Sequence, residues 1–281
     1  MDRSLGTPAS RDIVPGRALA LGTTIALATL AVLMPLAVVV LVATTADWRT
    51  LGPELVSSRM TAAFRLTFGA SLAAALVDGV CGTYIAWVLV RRRFTGIALL
   101  DALVDVPLAI PTAVAGIALA TLYGAHGWAG AFLEAHGLHV AYTPLGIGIA
   151  LAFVGLPFAV RAVTPVLAAL PKEFEEAAAS LGANRVVTFA RVVLPQLVPA
   201  ILAGFALALA RGLGEYGSVL FISGNLPLRT EIAPLLIMAK LEEYDYHGAA
   251  AIATVLLVSS FLLLLAIALL QRRLTTRSVR A

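Results

Sequence analysis

The chain has 281 residues, of which 60% are hydrophobic and only 13% charged, with 20 basic side chains against 16 acidic. Soluble domains carry about 25% charged residues; with a mean hydropathy of +0.95, most of this chain belongs in lipid, and a solitary soluble enzyme is excluded. The single cysteine, Cys81, rules out an intrachain disulfide or a thiolate zinc cluster, and no GxxxxGK[ST], HExxH or GxSxG motif occurs.

Crossing about 30 Å of hydrocarbon takes roughly 20 apolar residues in a helix, the form that pairs every backbone group internally. Six segments qualify: residues 18–44, 62–90, 97–123, 144–163, 197–222 and 249–270. The first is too long for a signal-peptide core and lacks a small-residue cleavage site, so it reads as a retained helix. The second contains Asp78, read as a structural acid. The third opens with Asp101 and Asp105 near Arg91, Arg92 and Arg93, which reads as an interfacial anchor. Pro107 and Pro111 follow, four apart. Each removes a backbone donor and bends the helix, and the freed groups are tolerated only against protein or water. This helix is therefore expected to line a pathway. Between residues 124 and 143 lie His126, His136 and His139 with one acid, Glu134. Without a cysteine or paired acid they read as surface imidazoles rather than a metal site.

The stretch from 164 to 196 has helical order of its own. Pro171 suits a first turn and Gly182 an αL stop, while Glu173, Glu175 and Glu176 sit near the positive end of the dipole. Phe174, Ala177, Ala178 and Leu181 recur at i, i+3, i+4 and i+7, a single apolar stripe. Helices that lie in the lipid interface favour Lys and Arg on the polar face. An acidic one is repelled by an anionic leaflet, so a protein groove is the better receptor for this helix over 173–181. In the fifth segment Arg211 and Glu215 are four apart and share a face. Two readings stay open: an ion pair tethering helices, or an arginine that alternates between a passing oxyanion and Glu215. Gly212, Gly214 and Gly217 allow the backbone to open beside them.

Lys and Arg mark the cytoplasmic side. With the N-terminus inside, 14 of them fall on that side against 4 outside, so both termini are expected in the cytoplasm. This asymmetry explains a pI near 9.6 without nucleic acid, for which no aromatic and basic stripe is present.

The register Glu176, Ala177, Ala178, then Gly182, then Val192, Leu194 and Pro195 resembles the EAA loop of bacterial ABC importer membrane subunits, with Val192 where the pattern has Ile. The runs Asp105–Gly116, Leu213–Asn225, Thr230–Ile232 and Leu241–Tyr246 look like the T-type sulfate/thiosulfate permeases, a likeness covering residues 60–270. Molybdate permeases share part of it but usually begin near the second helix. The resemblance implies an all-α membrane protein with six transmembrane helices and a cytoplasmic coupling helix, the type I ABC importer permease fold, in a bacterial inner membrane. Its parts are a cytoplasmic segment 1–17, a permease domain 18–270 with the coupling loop at about 164–196, and a cytoplasmic tail 271–281. The resemblance also implies partners: cytosolic ABC ATPase subunits that hold ATP and Mg, a W-type permease, a periplasmic sulfate/thiosulfate-binding protein, and membrane lipid. No cofactor is expected in this chain. Glu175, Glu176, Ala177, Ala178, Gly182, Leu194 and Pro195 are then expected to couple to the ATPase. The pathway is expected along Pro107, Pro111 and Thr112 of the third segment and Arg211, Gly214, Glu215, Tyr216 and Ser218 of the fifth. The rivals are a molybdate or tungstate importer and an ion-driven secondary transporter, although no clear internal repeat of the latter kind is seen.

Overall fold

A computed structural model describes residues 17–278. The expected segment 1–17, apart from the backbone of Arg17, lies outside the described residues, as do the last three residues of the tail and the Arg3, Arg11, Arg17, Arg277 and Arg280 side chains of the charge count. Every regular element among the described residues is helical.

The most apolar stretch of helix α1 (Leu19–Thr44) has a mean hydropathy of 2.8 and no buried residue, as befits a helix facing lipid, and Ala43 near its end is buried. A short α2 (Trp48–Leu55) follows, its N-terminus closed by Asp47 accepting from the Arg49 N–H. Helix α3 (Ser58–Arg91) is capped by Ser57 and has 34 residues, about 51 Å at 1.5 Å per residue. It overruns the expected 62–90 at both ends because its polar first and last turns continue past the apolar run. The next crossing is broken. Helices α4 (Ile97–Ala109) and α5 (Thr112–Tyr123) meet at 110°, so the expected continuous third helix is two half-helices. Pro111 has no N–H to continue the ladder and drives Ile110 to φ −94°, ψ 144°. Helix α6 (Trp128–Ala135) packs back on α5.

Helix α7 (Pro144–Ala169) starts with proline at N1 under a Thr143 cap. It runs six residues beyond the expected end at 163, carrying Pro165 within it. Then come α8 (Glu173–Ser180), α9 (Arg185–Leu213, with a π turn at Phe189–Val193), α10 (Gly217–Ser223), α11 (Ala233–Glu242) and α12 (Tyr246–Ser278). Among the described residues, five helices are long and apolar enough to cross a membrane, six crossings if the bent pair counts as one.

The centre is a bundle of α3, α7 and α9. Their close approach is made by small side chains. A Cβ on Gly82 of α3 would lie 2.7 Å from the Ala159 Cβ of α7, and one on Gly204 of α9 2.9 Å from the Ala159 Cα. One apolar cluster (Val104, Val160, Leu167, Val193, Leu197) fills the end near α8, and another (Ile147, Leu151, Val219, Ile232, Leu235) the opposite end. Helix α12 packs on α9, α11 and the second half of α1.

Candidate functional site

Helix α8 hangs from α7 by Leu170–Lys172. No side chain caps it, and Glu173, Glu175 and Glu176 occupy its first turn. It stops where expected: Gly182 takes φ +84°, and the Ala183 N–H donates to Ala178 O at 3.0 Å, a left-handed closure that a Cβ would strain. Asn184 then caps α9 through the Val187 N–H. Phe174, Leu181 and Val186 are exposed at 49%, 89% and 76%, an apolar face with no partner among the described residues. Glu176 is exposed beside it, and Ala177 with it, while Ala178 is half-buried. Leu194 and Pro195 lie apart from that face, within α9 just past the π turn against which α8 packs. Beside them it is Val193, 1% exposed, that anchors the core.

Glu175 has a partner that sequence spacing does not reveal. The Arg91 guanidinium at the end of α3, 8% exposed, donates to Glu175 Oε1 at 2.8 Å and to Leu170 O at 3.1 Å. It straddles the hinge between α7 and α8. Behind it, a groove of about 580 Å³ runs between α3 and the start of α9, lined by Trp87, Lys172, Glu175, Arg185 and Phe189. The Arg92 guanidinium stacks 5.0 Å from the Trp87 ring centroid.

Two backbone breaks face each other deeper in the bundle. Helix α9 ends at Leu213 with Gly214 as its C-cap, and Tyr216 leaves the helical region at φ −122°, ψ −53° before α10 resumes. Opposite lies the Ile110–Pro111 break. Helix α5 and α10 touch so closely that a Cβ on Gly116 would sit 2.8 Å from the Ser218 Cα, and one on Gly217 would collide with Thr112 Oγ1. Thr112, Glu215, Tyr216 and Ser218 are thereby gathered at the starts of two half-helices. Glu215 lies two residues beyond the end of α9, not on its face as the spacing implies, yet the ion pair forms: Arg211 Nη2 donates to Glu215 Oε2 at 2.6 Å. Glu215, 1% exposed, accepts from the Ser218 N–H at 2.9 Å and its hydroxyl at 3.0 Å through Oε1. Pro107 is buried within α4, away from this junction, whereas Pro111 is exposed at it.

Asp101 and Asp105 do not face the Arg91–Arg93 cluster. They hold Arg161 of α7: Asp101 Oδ1 accepts from Nη1 at 2.7 Å, and Asp105 accepts at Oδ1 and Oδ2 from Nε and Nη2 at 3.0 and 2.6 Å. A lone arginine in an apolar run, and two aspartates one helical turn apart, were the available signals. Asp78 is 2% exposed between the three central helices, and its Oδ2 has no hydrogen-bond partner among the described residues. The histidines of residues 124–143 sit apart from all of this. His136 Nδ1 lies 2.8 Å from Phe132 O, and His139 3.6 Å from Glu134.

The sequence profile of the binding-protein-dependent transport system inner membrane component family matches residues 78–276, a stretch that holds α8 and both breaks. The chain belongs to that family. It is a multi-pass membrane permease and a transport subunit rather than an enzyme, and binding-protein dependence sets aside the ion-driven secondary transporter. Among its relatives, a protein of Salmonella typhimurium named "Sulfate transport system permease protein CysT" is 45% identical over 271 residues, 96% of this chain and 98% of that one. A protein of the same name from Synechocystis is 50% identical over 209 residues, 74% of this chain and 73% of its own. Among solved structures, the bacterial alginate ABC transporter bound to an alginate-loaded periplasmic protein aligns with a TM-score of 0.74 at 17% identity, covering 92% of this chain and 94% of that one. At that identity the likeness is one of fold, and the fold is that of an ABC importer permease.

Proposed function

We propose that this permease carries sulfate and thiosulfate inward across a bacterial inner membrane as half of a permease pair, driven by separate ATPase subunits. The observation that carries the reading is 45% identity along 271 residues to a protein named for sulfate transport, an extent that takes in the coupling loop, the facing breaks and the first helix alike. No molybdate system is needed to account for it.

In this reading α8 seats in a cleft of an ATPase chain, which binds the ATP and Mg²⁺, and its exposed Phe174, Ala177 and Leu181 enter that cleft. Glu175 and Glu176 orient it, Gly182 fixes its end, and Leu194 and Pro195 brace the returning helix. A W-type permease supplies the second half, and a periplasmic sulfate/thiosulfate-binding protein delivers the anion. Both termini face the cytoplasm, in keeping with the arginine-rich side of the sequence. Closure of the ATPase pair pushes α8, and Arg91 passes the movement to α3. The pathway then turns outward along Pro107, Pro111, Thr112, Arg211, Gly214, Glu215, Tyr216 and Ser218. Arg211 and the Ser218 donors exchange Glu215 for the oxyanion as it passes, and multiple weak donors hold an anion without trapping it.

Uptake of labelled sulfate in cells lacking their own importer, with permease pair, ATPase and binding protein restored together, tests this. Excess thiosulfate is expected to abolish uptake and excess molybdate to leave it. Absence of sulfate uptake from a well-inserted complex, with molybdate taken up instead, would overturn the substrate class.

A further inference from the structure

We infer that the end of the permease opposite α8 carries a shallow oxyanion-collecting site built on Arg65 and Arg229; its ligand class rests on the oxyanion reading above. Arg65 stands in α3 twenty-six residues before Arg91, about 39 Å away along the helix, so it belongs to the opposite membrane face from the coupling helix. A pocket of about 320 Å³ lies there, lined by Arg65, Gly69, Pro144, Leu228 and Arg229. At about 30 Å³ per water, it admits a tetrahedral oxyanion with part of its hydration shell.

Three features fit it to an anion. First, neither guanidinium has an ion-pair partner among the described residues. The acid close by in sequence, Glu231, is 3% exposed and fully engaged: its two oxygens accept from Arg59 at 2.8 and 2.7 Å. The pocket is left with two positive charges and no carboxylate in its lining. Second, Arg229 is presented by a turn pinned at its base. The N–H groups of Arg229, Thr230 and Glu231 all converge on Leu226 O, and Thr230 Oγ1 accepts from the Leu226 N–H. Thr230 and Glu231 are buried beneath it. Third, the pocket wall includes Pro144, the first residue of the 26-residue α7, so the positive end of a long helix dipole adds to the arginines.

The site is open and solvated, so it concentrates anions rather than binding them tightly, which suits a station from which they must leave again. It also lies on the way inward. Ala70 lines the pocket and packs with Tyr216 against one apolar cluster, and Tyr216 adjoins the buried Glu215 that pairs with Arg211.

A thiol placed in the pocket tests this in the complete importer in its membrane. With Cys81→Ser removing the exposed native thiol, Gly69→Cys adds a side chain at a point where a Cβ meets no atom within 4 Å. An anionic methanethiosulfonate is expected to modify it on the order of tenfold faster than the cationic analogue. Sulfate should slow the reaction where chloride at equal ionic strength does not, and Arg65→Gln or Arg229→Gln should each erase the charge preference. Ala62→Cys, on the same lining, provides the readout if Gly69→Cys does not insert. Equal rates for the two reagents, or a thiol unreactive to both in either variant because another subunit covers the pocket, would overturn the site. Protection by molybdate and not by sulfate would keep the site and overturn the sulfate reading instead.

Discussion

Arg211 and Glu215 show how a single residue's burial decides what a substitution does. Glu215 is 1% exposed, with Arg211 and Ser218 supplying its donors. Removing Arg211, itself 32% exposed, leaves a carboxylate in a nearly dry site, a loss below the roughly 3 kcal/mol of a broken fully buried pair. Removing both charges leaves nothing unpaired. Arg211→Gln is therefore expected to destabilise the detergent-solubilised protein more than Arg211→Gln with Glu215→Gln, as read by thermal unfolding; simple additivity would show that the pair is not coupled. Glycines offer a second contrast. A Cβ at Gly82 would lie 2.7 Å from the Ala159 Cβ and 3.1 Å from the Val160 N, whereas at Gly79 it meets nothing nearer than Ile201 at 4.0 Å. Gly82→Ala should cost about 1–3 kcal/mol by overpacking. Gly79→Ala, one turn away on the same helix, should be neutral or slightly stabilising through helix propensity.

At the level of elements, the far rim is tied by charge. Lys240 of α11 contacts Glu54 of α2 at 2.5 Å and Asp245 at 3.2 Å. The Gly248 N–H bonded to Asp245 Oδ1, together with Lys240, holds the Asp245 carboxyl below its usual range at the start of α12. A carboxyl lowered on folding contributes stability above its unfolded pKa of about 3.9, and loses it as pH falls through the lower folded value. Asp245→Asn should lower the unfolding temperature at neutral pH and weaken its decline below about pH 4, the two proteins converging in stronger acid. A parallel acid limb in both would remove Asp245 from this role. Elements also differ in how legible they were. Helix α8 was readable because its signals are local: Pro171 before it, three glutamates in its first turn and a left-handed Gly182 after it. The break at Pro111 was readable as a bend, but its 110° angle depends on α5 seating against α10. The overrun of α7 to Ala169 was hidden because Pro165, a helix breaker by sequence, is carried within the packed helix. Arg91 with Glu175, and Arg161 with Asp101 and Asp105, join residues 56 to 84 positions apart, beyond the reach of any periodicity.

Across the whole molecule these ties form a continuous route. Helix α8 is fastened to α3 by Arg91 and continues into α7, and Arg161 fastens α7 to α4, whose end is the break opposite Tyr216. The outer helices α1 and α12 bury 0% and 6% of their most apolar windows, leaving lipid or a second subunit to cover them. A load applied at α8 therefore has one path through α7 to α4 and another through the π turn of α9, on which it packs, to the other side of the facing breaks.

The most direct test is to measure ATP hydrolysis and labelled sulfate uptake together, in proteoliposomes holding the permease pair and its ATPase with loaded binding protein outside. For Glu176→Lys and Gly182→Val, uptake is expected to fall at least about tenfold, the equivalent of 1.4 kcal/mol at the interface, while basal hydrolysis persists without stimulation by the binding protein. Uptake at the unaltered rate in both variants, with hydrolysis still stimulated, would contradict the assignment of α8 as the helix through which ATP drives transport.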